Sequence, residues 1–481
     1  MLNTSRRYDV IVIGAGLEGL LCAALLAKRG KQVIVLEESP TPGGASFRIT
    51  KSGYTFIKGP TLFLGFERDG LYDRLFTELG LSLSMLKREG LLFRKTQPPL
   101  QIVLPDHRLD YFTEPGELLE ELKREFPDQV QELKAFWSEM EQWEQIIRPR
   151  MHQAQRVNPL TARDWIQELR DRMRYSSAVR TLRRQRAEAF LNRHGLAPEI
   201  RRGLELLLLI FVGETMDKAT GLDLTHLLGL IQREMITISG GVPRLSELLV
   251  KVIQEHHGDV VCRQQAAEIL LRHRCPDGVR TVDGETVHGT SVILNLPWRS
   301  ASDRSPLRKE FTLYFGIAEK VLPSPMKDHL LFLQSYGRPP MADNFLYLQV
   351  NPAQDPWAAP KGQRALQVIG YIPESDRPRR DVLQSLVKPI TDHLTWLMPF
   401  SEGALTLLGD DLGETEAATR IPLKLAEQVR ATRTVMRDGA CYNLTSLKNL
   451  YLLPDLGRRP VASLKSARSA VELANRVSKI S

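Results

Sequence analysis

Three glycines near the amino terminus are spaced so that they could hold a diphosphate. Residues 10–13 are apolar in succession, which is typical of a buried parallel strand, and they run directly into Gly14-x-Gly16-x-x-Gly19. In such a loop the first glycine allows a tight turn, the second lets backbone amides approach the diphosphate, and the third lets helix and strand pack closely. The following helix attracts phosphate charge to its N-terminus. The spacing predicts a dinucleotide-binding βαβ unit.

An acid at the end of the next apolar strand completes this unit. Glu37 stands 23 residues after Gly14, where a carboxylate can accept hydrogen bonds from the hydroxyls of an adenosine ribose. Between them, residues 20–28 predict a helix, and Gly30 supplies its C-terminal stop. Glu18 is unusual, because the helix dipole tolerates an acid in the first turn but a diphosphate does not favour a carboxylate beside it. An ordinary turn between strand and helix is the alternative interpretation.

The residues after Glu37 indicate which dinucleotide is bound. Gly43 and Gly44 follow within seven positions, which resembles the continuation seen in glutathione-reductase-type flavoproteins. Residues 9–65 as a whole are similar to the family of phytoene desaturases, carotenoid isomerases and retinol saturase. The resemblance implies FAD as the cofactor and an α/β fold, in which a Rossmann-like FAD-binding domain of the glutathione-reductase type carries an inserted α+β substrate domain. Together with the glycine spacing, it gives these expected cofactor-binding residues: Gly14, Ala15, Gly16, Gly19, Glu37, Glu38, Gly43, Gly44, Ala45, Ala266 and Asp455.

Two later segments agree with the resemblance. Residues 238–248 contain a Gly-Gly turn before a helix, as in the family. Residues 258–297 follow with the pairs Asp277-Gly278 and Asp283-Gly284, each of which predicts a hairpin turn. Family members use this hairpin to return the chain to the FAD domain, and the resemblance implies that the backbone near Ala266 contacts the adenine.

Three positions depart from the family pattern. Lys58 stands where the family usually has an acid before its Gly-Pro. Pro454 stands where the family has glycine, and proline lacks an amide donor and brings a ring where backbone should approach a ligand. The resemblance implies that Asp455 binds the ribityl chain, whereas a plain turn acid is the alternative. Residues 458–460 also replace much of a glycine-rich turn, so altered or lost FAD binding stays open.

Composition excludes several classes of protein. A chain of 481 residues can build two or three cores. Its four cysteines contain no CxxC, so they offer neither a zinc site nor a disulfide framework, and a reducing, cytoplasmic location is expected. No segment has the roughly 20 apolar residues that a membrane span needs. His256 and His257 are expected to end a helix rather than bind a metal, and we predict no metal site.

Positive charge is concentrated in one segment. The net charge is +8, and residues 148–202 contain 14 arginines, no lysine and five acids. This segment predicts helices, and the apolar run at 204–212 after it suits a buried helix or the mouth of an apolar pocket. Docking to an anionic membrane surface, on its inner face, is one interpretation. A solvated arginine-rich helix face is the other, while no nucleic-acid-binding module accompanies the patch, so we expect no nucleic acid partner.

The predicted organisation is discontinuous. We expect a FAD-binding domain from residues 1–80, 235–300 and 430–481, a mostly helical cap with the basic segment at 81–234, and substrate-domain sheet and helices at 301–429. Alternating patterns at 311–317, 345–350 and 365–372 predict an antiparallel sheet as the floor of a substrate chamber. The resemblance implies that such a sheet and cap enclose a long apolar tunnel beside the isoalloxazine.

The resemblance implies an FAD-dependent oxidoreductase that transfers hydride between the flavin and a long apolar unsaturated, isoprenoid or carotenoid-like substrate. Such a substrate needs an apolar channel and little acid-base machinery, in keeping with a chain whose sequence assigns no catalytic residue. Two alternatives stay open. One is another amine-oxidase-like flavoenzyme, such as a porphyrinogen or amine oxidase. The other is a non-catalytic scaffold with weakened FAD binding. The sequence leaves the substrate identity and oligomeric state open.

Overall fold

The fold was analysed in a computed structural model. Its description covers residues 5–479 except 45, 60, 82, 89–90, 92, 153–161, 297–307, 342, 353–354, 356–357, 374–379, 412–424, 426–430, 438–439, 446 and 454–459. Pro454, Asp455 and Ala45 therefore lie outside the described residues.

The helices within this part of the chain run from the glycine loop to the carboxyl terminus. In chain order they are α1 (Leu17–Lys28), α2 (Leu71–Leu79), α3 (Leu83–Arg88), α4 (Pro115–Glu125), α5 (Val130–His152), α6 (Ala162–Arg184), α7 (Ala187–Arg193), α8 (Pro198–Leu207), α9 (Gly221–Ile231), α10 (Gly241–Glu255), α11 (Arg380–Leu397) and α12 (Pro460–Val477). A π-helical turn continues α8 over Leu208–Val212, and short 3₁₀ turns lie at Pro127–Gln129 and Glu319–Val321.

The strands alternate with these helices. They are β1 (Arg7–Ile13), β2 (Val33–Leu36), β3 (Arg48–Lys51), β4 (Tyr54–Ile57), β5 (Leu62–Phe63), β6 (Phe93–Arg94), β7 (Leu100–Val103), β8 (Arg108–Tyr111), β9 (Ile236–Ile238), β10 (Asp259–Val261), β11 (Ala266–Arg272), β12 (Cys275–Thr281), β13 (Thr286–Leu294), β14 (Arg308–Ala318), β15 (His329–Leu333), β16 (Phe345–Val350), β17 (Gln363–Pro373), β18 (Leu405–Asp410), β19 (Ala431–Arg437), β20 (Ala440–Thr445) and β21 (Leu450–Leu452).

One sheet contains the predicted βαβ unit and confirms the α/β fold class. Its strands lie in the order β10-β2-β1-β13-β21-β20-β19, with the β11–β12 hairpin attached through β13. The strands from β10 to β21 are parallel, and helices α1, α10 and α12 pack together on one face. Both faces of the central strands are covered, which explains their continuous apolar sequence. Segments far apart in sequence thus share one sheet, while the domain boundaries stay a prediction.

The hairpin after α10 corrects one turn prediction. Asp277 and Gly278 lie inside β12 rather than in a turn. The turn is formed instead by His273 and Arg274, whose φ angles of 51° and 63° suit a two-residue hairpin connection. Gly278 is required for packing, because a Cβ there would lie 2.5 Å from the Val287 carbonyl oxygen of the neighbouring strand. The second pair behaves as predicted, since the loop between β12 and β13 contains Gly284 with φ +85°.

The second large sheet confirms the three strands predicted at 311–317, 345–350 and 365–372. Its order is β18-β14-β17-β16-β15-β7-β8. Strands β14, β17 and β16 pair antiparallel as expected. Strands β7 and β8 come from the segment predicted to be mostly helical, and β7 joins the sheet by a parallel pairing with β15. These strands are four residues long, too short for a periodic signal to distinguish them from loops.

The apolar run at 204–212 confirms one expectation for the helical region. Residues 204–211 are buried in α8 and its π-helical turn. No helix among the described residues is long and apolar enough to cross a membrane. Helix α10 ends at Glu255 with His256 as its C-cap, as predicted. No group of three or more potential metal-binding side chains occurs within the described ranges.

Candidate functional site

The first glycine of the loop follows β1 directly. Gly14 N donates to the Leu36 carbonyl oxygen at 2.8 Å, which ties the loop to the end of β2. Its φ is +98°, and a Cβ at this position would collide with the Asn295 carbonyl. Gly14 is therefore required by both conformation and space.

The other two glycines lie at the start of α1 against the side chain of Asn295. A Cβ on Gly16 or Gly19 would lie 2.6 or 2.8 Å from Asn295 Oδ1. Gly19 N donates to that oxygen at 3.1 Å, and Asn295 Nδ2 donates to the Leu453 carbonyl at 3.4 Å. Sequence reasoning missed Asn295. The available signal was its place at the carboxyl end of β13, since the ends of neighbouring parallel strands meet in one crevice.

Glu37 lies beside the same loop. Its side chain is 4% exposed, Oε2 accepts from Ala15 N at 2.6 Å, and Oε1 accepts from Ser39 N at 2.8 Å. The Gln264 amide donates to the Glu37 carbonyl at 2.7 Å, which joins the segment before β11 to this acid. The carboxylate is thus fixed at the edge of the glycine loop.

Glu38 and Ala266 are linked through Gln265. Glu38 Oε2 accepts from Gln265 Nε2 at 2.8 Å, and burial raises the pKa of the Glu38 carboxyl. Ala266 follows Gln265 at the start of β11 and is buried. The structure therefore joins Glu38 to the residue that directly precedes Ala266.

The Gly43-Gly44 turn packs directly on the first loop. Gly43 N donates to the Ala15 carbonyl at 2.9 Å, and a Cβ on Gly44 would lie 2.9 Å from Gly16 Cα. Both glycines have positive φ angles, of 128° and 60°. We call the cluster formed by these residues the nucleotide cleft: Gly14, Ala15, Gly16, Gly19, Glu37, Gly43, Gly44 and Asn295.

Glu18 lies in the wall of the nucleotide cleft. It is buried in the first turn of α1, and a Cβ on Gly16 would lie 3.5 Å from Glu18 Oε2. Gly16 is the N-cap of α1 and has no side chain that could accept from the first turn, where Asn295 Oδ1 accepts from Gly19 N. The helix dipole makes this end electropositive, and Glu18 places a carboxylate close to it.

A second cavity begins next to the nucleotide cleft. Ser46 N donates to the Gly43 carbonyl at 3.1 Å, and its side chain fills the space that a Cβ on Gly59 would need. Gly59 belongs to the wall of a cleft of about 550 Å³, part of it open to solvent. We call it the Lys58 chamber, and its lining residues are Ile57, Lys58, Gly59, Thr61, Leu62, Ile210, Glu310, Thr312, Tyr347, Gln349, Gln367, Ile369 and Tyr371.

A buried ion pair accounts for the departure at Lys58. Lys58 Nζ lies 2.8 Å from Asp411 Oδ2, and the two side chains are 3% and 5% exposed. Asp411 Oδ1 also accepts from Thr312 N at 3.1 Å. The acid that compensates Lys58 therefore comes from the end of β18, 353 positions later in the chain.

Hydrogen-bonding side chains form much of the floor of the chamber. Gln349 Oε1 accepts from Thr61 Oγ1 at 3.3 Å and from Gln367 Nε2 at 3.4 Å. Tyr347 Oη lies 2.9 Å from His329 Nδ1. Burial lowers the pKa of His329 to about 3 and raises that of Tyr347, so this pair is uncharged near neutral pH. The chamber is more polar than the apolar tunnel that the family resemblance implied.

A third cavity lies on the same face of the sheet, between strands β7 and β8 and helices α4, α5 and α8. It measures about 440 Å³, part of it open to solvent. We call it the Tyr111 pocket, lined by Ile102, Leu104, Leu109, Tyr111, Leu122, Phe126, Leu133, Phe136, Trp137, Glu199, Ile200, Gly203, Leu204 and Leu207. Helix α8 and its π-helical turn contact both cavities, since Leu204 and Leu207 line the pocket and Ile210 lines the chamber. The apolar run at 204–212 is thus both a buried helix and part of a pocket wall.

One cross-strand row connects the two cavities. Adjacent strands pair so that one side chain per strand falls on the same face, in the order Leu109, Ile102, Leu331, Tyr347, Ile369 and Thr312. Five strand spacings span about 24 Å. The first two residues line the Tyr111 pocket and the last three line the Lys58 chamber, while the fully buried Leu331 lies between them.

The carboxyl-terminal flavin motif is described only in part. Strand β21 pairs in parallel with β13, and Leu453 N donates to the Leu294 carbonyl at 2.8 Å. The chain therefore reaches the nucleotide cleft immediately before Pro454 and Asp455, which lie outside the described residues together with Ala45. Helix α12 begins at Pro460, and Leu464 occupies the space that a Cβ on Gly65 would need.

Comparison with known proteins found a matching family and several relatives. The model of the family described as flavin containing amine oxidoreductase matches residues 19–321, more than half of the chain. A phytoene desaturase from Cercospora nicotianae is 42% identical over 106 residues, which are 22% of this chain and 16% of that protein. The matched segment thus spans about a sixth of that relative. A 4,4'-diapophytoene desaturase (4,4'-diapolycopene-forming) from Methylomonas sp is 23% identical over 417 residues, 78% of this chain and 75% of the relative.

A solved structure of similar fold covers nearly the whole chain. An oxidoreductase from Methanosarcina mazei superposes with a TM-score of 0.61 at 15% identity, over 97% of this chain and 100% of that one. At this identity the similarity establishes the fold alone.

Proposed function

The chain belongs to the flavin containing amine oxidoreductase family and is therefore an FAD-dependent oxidoreductase, and we propose that it transfers hydride between FAD and a long apolar unsaturated molecule of the isoprenoid or carotenoid type. The single observation that carries the proposal is the direct contact between the nucleotide cleft and the Lys58 chamber through Ser46. A cofactor in the cleft and a substrate in the chamber would be neighbours.

The described residues of the nucleotide cleft suit FAD. The start of α1 presents the positive end of the helix dipole to a diphosphate, while Asn295 Oδ1 accepts from the first-turn amide of Gly19. Glu37 offers a fixed carboxylate to ribose hydroxyls. By the family resemblance, the Gly43-Gly44 turn covers the nucleotide, the backbone at Ala266 contacts the adenine, and Asp455 binds the ribityl chain. Ala15, Glu38 and Ala45 complete the proposed set.

FAD supplies the hydride chemistry, and the chain supplies position, dryness and charge. The Lys58–Asp411 pair keeps one positive charge fixed in the chamber wall, because its partner is itself held by Thr312 N. Burial keeps Tyr347 and His329 uncharged, and Thr61 and Gln367 both donate hydrogen bonds to Gln349. The His329–Tyr347 pair therefore takes up or releases no proton near neutral pH, in keeping with a hydride transfer that needs little acid-base chemistry.

The dimensions of the sheet face support a long substrate. The row from Leu109 to Thr312 spans about 24 Å. A molecule that extends from the Lys58 chamber toward the Tyr111 pocket would have to displace the side chain of Leu331. Two relatives add to this support, since one is a phytoene desaturase and the other a 4,4'-diapophytoene desaturase.

A purified sample tests the proposal in two steps. We expect flavin absorbance at near one FAD per chain, and anaerobic loss of that absorbance when a micellar phytoene-type polyene is added. A sample that is reduced by a primary or secondary amine and not by the polyene would contradict the substrate class. A colourless sample that binds no added FAD would contradict the oxidoreductase and support the scaffold alternative.

One observation favours the second candidate, an amine-oxidase-like enzyme with a more polar substrate. Tyr347, Tyr371, Gln349 and Gln367 all line the Lys58 chamber. Two aromatic rings and two amides could hold an amino or amide group, which a hydrocarbon polyene lacks. The reduction experiment above separates the two candidates directly.

We also propose peripheral contact with an anionic membrane, at its inner face. On α6, Met173, Arg180 and Arg184 are exposed and lie on one helix face, while Tyr175 and Leu182 are buried on the other. Such a basic face is attracted to anionic lipids.

A charge-reversal variant tests the contact. We expect the protein to co-sediment with phosphatidylserine vesicles but not with phosphatidylcholine vesicles, and the variant Arg180→Glu, Arg183→Glu, Arg184→Glu to lose this binding. Arg186 is left unchanged because it donates to the Lys218 carbonyl and so has a structural contact. Equal pelleting of variant and parent would end the docking proposal.

A further inference from the structure

Two of the residues that line the mostly apolar Tyr111 pocket carry a buried hydrogen-bonding group. Tyr111 is 2% exposed, and its hydroxyl has no hydrogen-bond partner among the described residues. Trp137 lines the same pocket, and its Nε1 is also buried without a hydrogen-bond partner among the described residues. Burying a hydroxyl or an indole N–H without a partner is costly, so an unpaired pair in one cavity points to a ligand that satisfies it.

The chemistry of the two groups limits what the ligand can be. Indole Nε1–H is a donor only, and a tyrosine hydroxyl can donate one hydrogen bond. Burial raises the pKa of Tyr111, so its proton stays in place at neutral pH and above. A ligand atom with two lone pairs could accept from both donors. The leucine, isoleucine and phenylalanine side chains that line the pocket favour a ligand whose remaining atoms are apolar.

We propose that the Tyr111 pocket binds an apolar carbonyl compound, whose oxygen accepts hydrogen bonds from Tyr111 Oη and Trp137 Nε1. Half-buried Glu199 is the other polar lining residue, and as an acceptor it disfavours a carboxylate ligand at this position. The site does not depend on the reaction proposed for the Lys58 chamber. The carbonyl could belong to the far end of a long substrate or to a separate small molecule.

Binding to the FAD-containing protein tests this site without an activity assay. The probe is cyclohexyl methyl ketone, and its matched hydrocarbon is ethylcyclohexane. We expect the indole N–H signal that is absent from Trp137→Phe to shift downfield with the ketone and not with the hydrocarbon. An indole signal unmoved by saturating ketone would overturn the proposal.

Removing one hydroxyl provides the second measurement. Tyr111→Phe should weaken ketone binding about 2- to 10-fold, the range for one neutral hydrogen bond, and leave hydrocarbon binding unchanged. The control Tyr371→Phe removes a hydroxyl from the Lys58 chamber instead and should leave ketone binding unchanged. Equal ketone affinities for Tyr111→Phe and the parent protein would contradict the proposal.

Thermal unfolding checks that the hydroxyl is unpaired in the free protein. Tyr111→Phe should unfold at the same or a higher temperature, because the variant no longer buries an unsatisfied group. A clear loss of stability would show that the hydroxyl already has a protein partner, and would overturn the inference.

A competition experiment identifies the source of the carbonyl. Displacement of the ketone by a long oxygenated polyene, but not by a short polyene, assigns the pocket to the far end of the substrate, whereas displacement by neither assigns it to a separate molecule.

Discussion

Lys58 Nζ and Asp411 Oδ2 form a 2.8 Å ion pair that is almost completely removed from solvent. Removing one partner would leave the other charge buried and uncompensated. We expect Lys58→Met to lower the free energy of unfolding by about 3 to 5 kcal/mol in urea denaturation. The double variant Lys58→Met, Asp411→Asn should recover most of this loss, because Asn can still accept from Thr312 N.

A solvent-exposed pair gives the matched control. Lys123→Met removes a cation from the i,i+3 pair with Glu120, which is exposed, and should cost less than about 1 kcal/mol. A Lys58→Met protein as stable as the Lys123→Met protein would show that the buried pair is not coupled as the structure indicates.

Asn295 gives a prediction about cofactor affinity. Its side chain accepts from Gly19 N and donates to the Leu453 carbonyl, so it connects the glycine loop to the carboxyl-terminal strand. Asn295→Ala should weaken FAD binding about 10-fold or more by calorimetry, since loss of these bonds frees the loop. Thr290→Val removes an exposed hydroxyl from the middle of the same strand, where it donates to the Asp9 carbonyl, and should leave the affinity unchanged. Equal FAD affinities for the two variants would show that Asn295 does not contribute to FAD binding.

These residues illustrate what sequence could and could not give. The glycine loop and Glu37 were predictable because their roles follow from local spacing. Asn295 and Asp411 were not, because Asn295 reaches the glycine loop through the pairing of β1 with β13, and Asp411 reaches Lys58 from 353 positions away. The turn predicted at Asp277-Gly278 was wrong for a related reason, because the glycine is required by packing against Val287 of the neighbouring strand and not by a turn. Strands β7 and β8 are short, and only their pairing with β15 defines them.

Glu18 should weaken the binding of any diphosphate in the nucleotide cleft. Its carboxylate is buried in the first turn of α1, near Gly16. Glu18→Gln removes the charge and keeps the shape, so we expect FAD to bind about 2- to 10-fold more tightly. Glu188→Gln, in the first turn of the remote helix α7, is the matched control and should change nothing. Weaker FAD binding by Glu18→Gln would mean that the carboxylate supports the loop rather than repelling the ligand.

The raised pKa of the buried Glu144 carboxyl predicts that the stability of the protein depends on pH. It lies with Glu67 around Arg233, and Glu144 Oε1 is 3.1 Å from Arg233 Nη1. Burial raises the pKa of Glu144 to about 7, since it outweighs the attraction of Arg233 and Arg148, and the nearby Glu67 raises it further. The folded protein therefore binds a proton between pH 4.5 and about 7 that the unfolded chain has released.

The sign of the effect follows from this proton. The stability associated with protonated Glu144 is present below pH 4.5 and is lost as the pH rises through about 7. We expect the free energy of unfolding to fall by about 1 to 3 kcal/mol across this range from this group. Glu144→Gln should flatten the profile and be more stable than the parent protein at pH 8. Urea unfolding of both proteins at several pH values measures this, and parallel profiles would show that Arg233 keeps Glu144 ionised throughout.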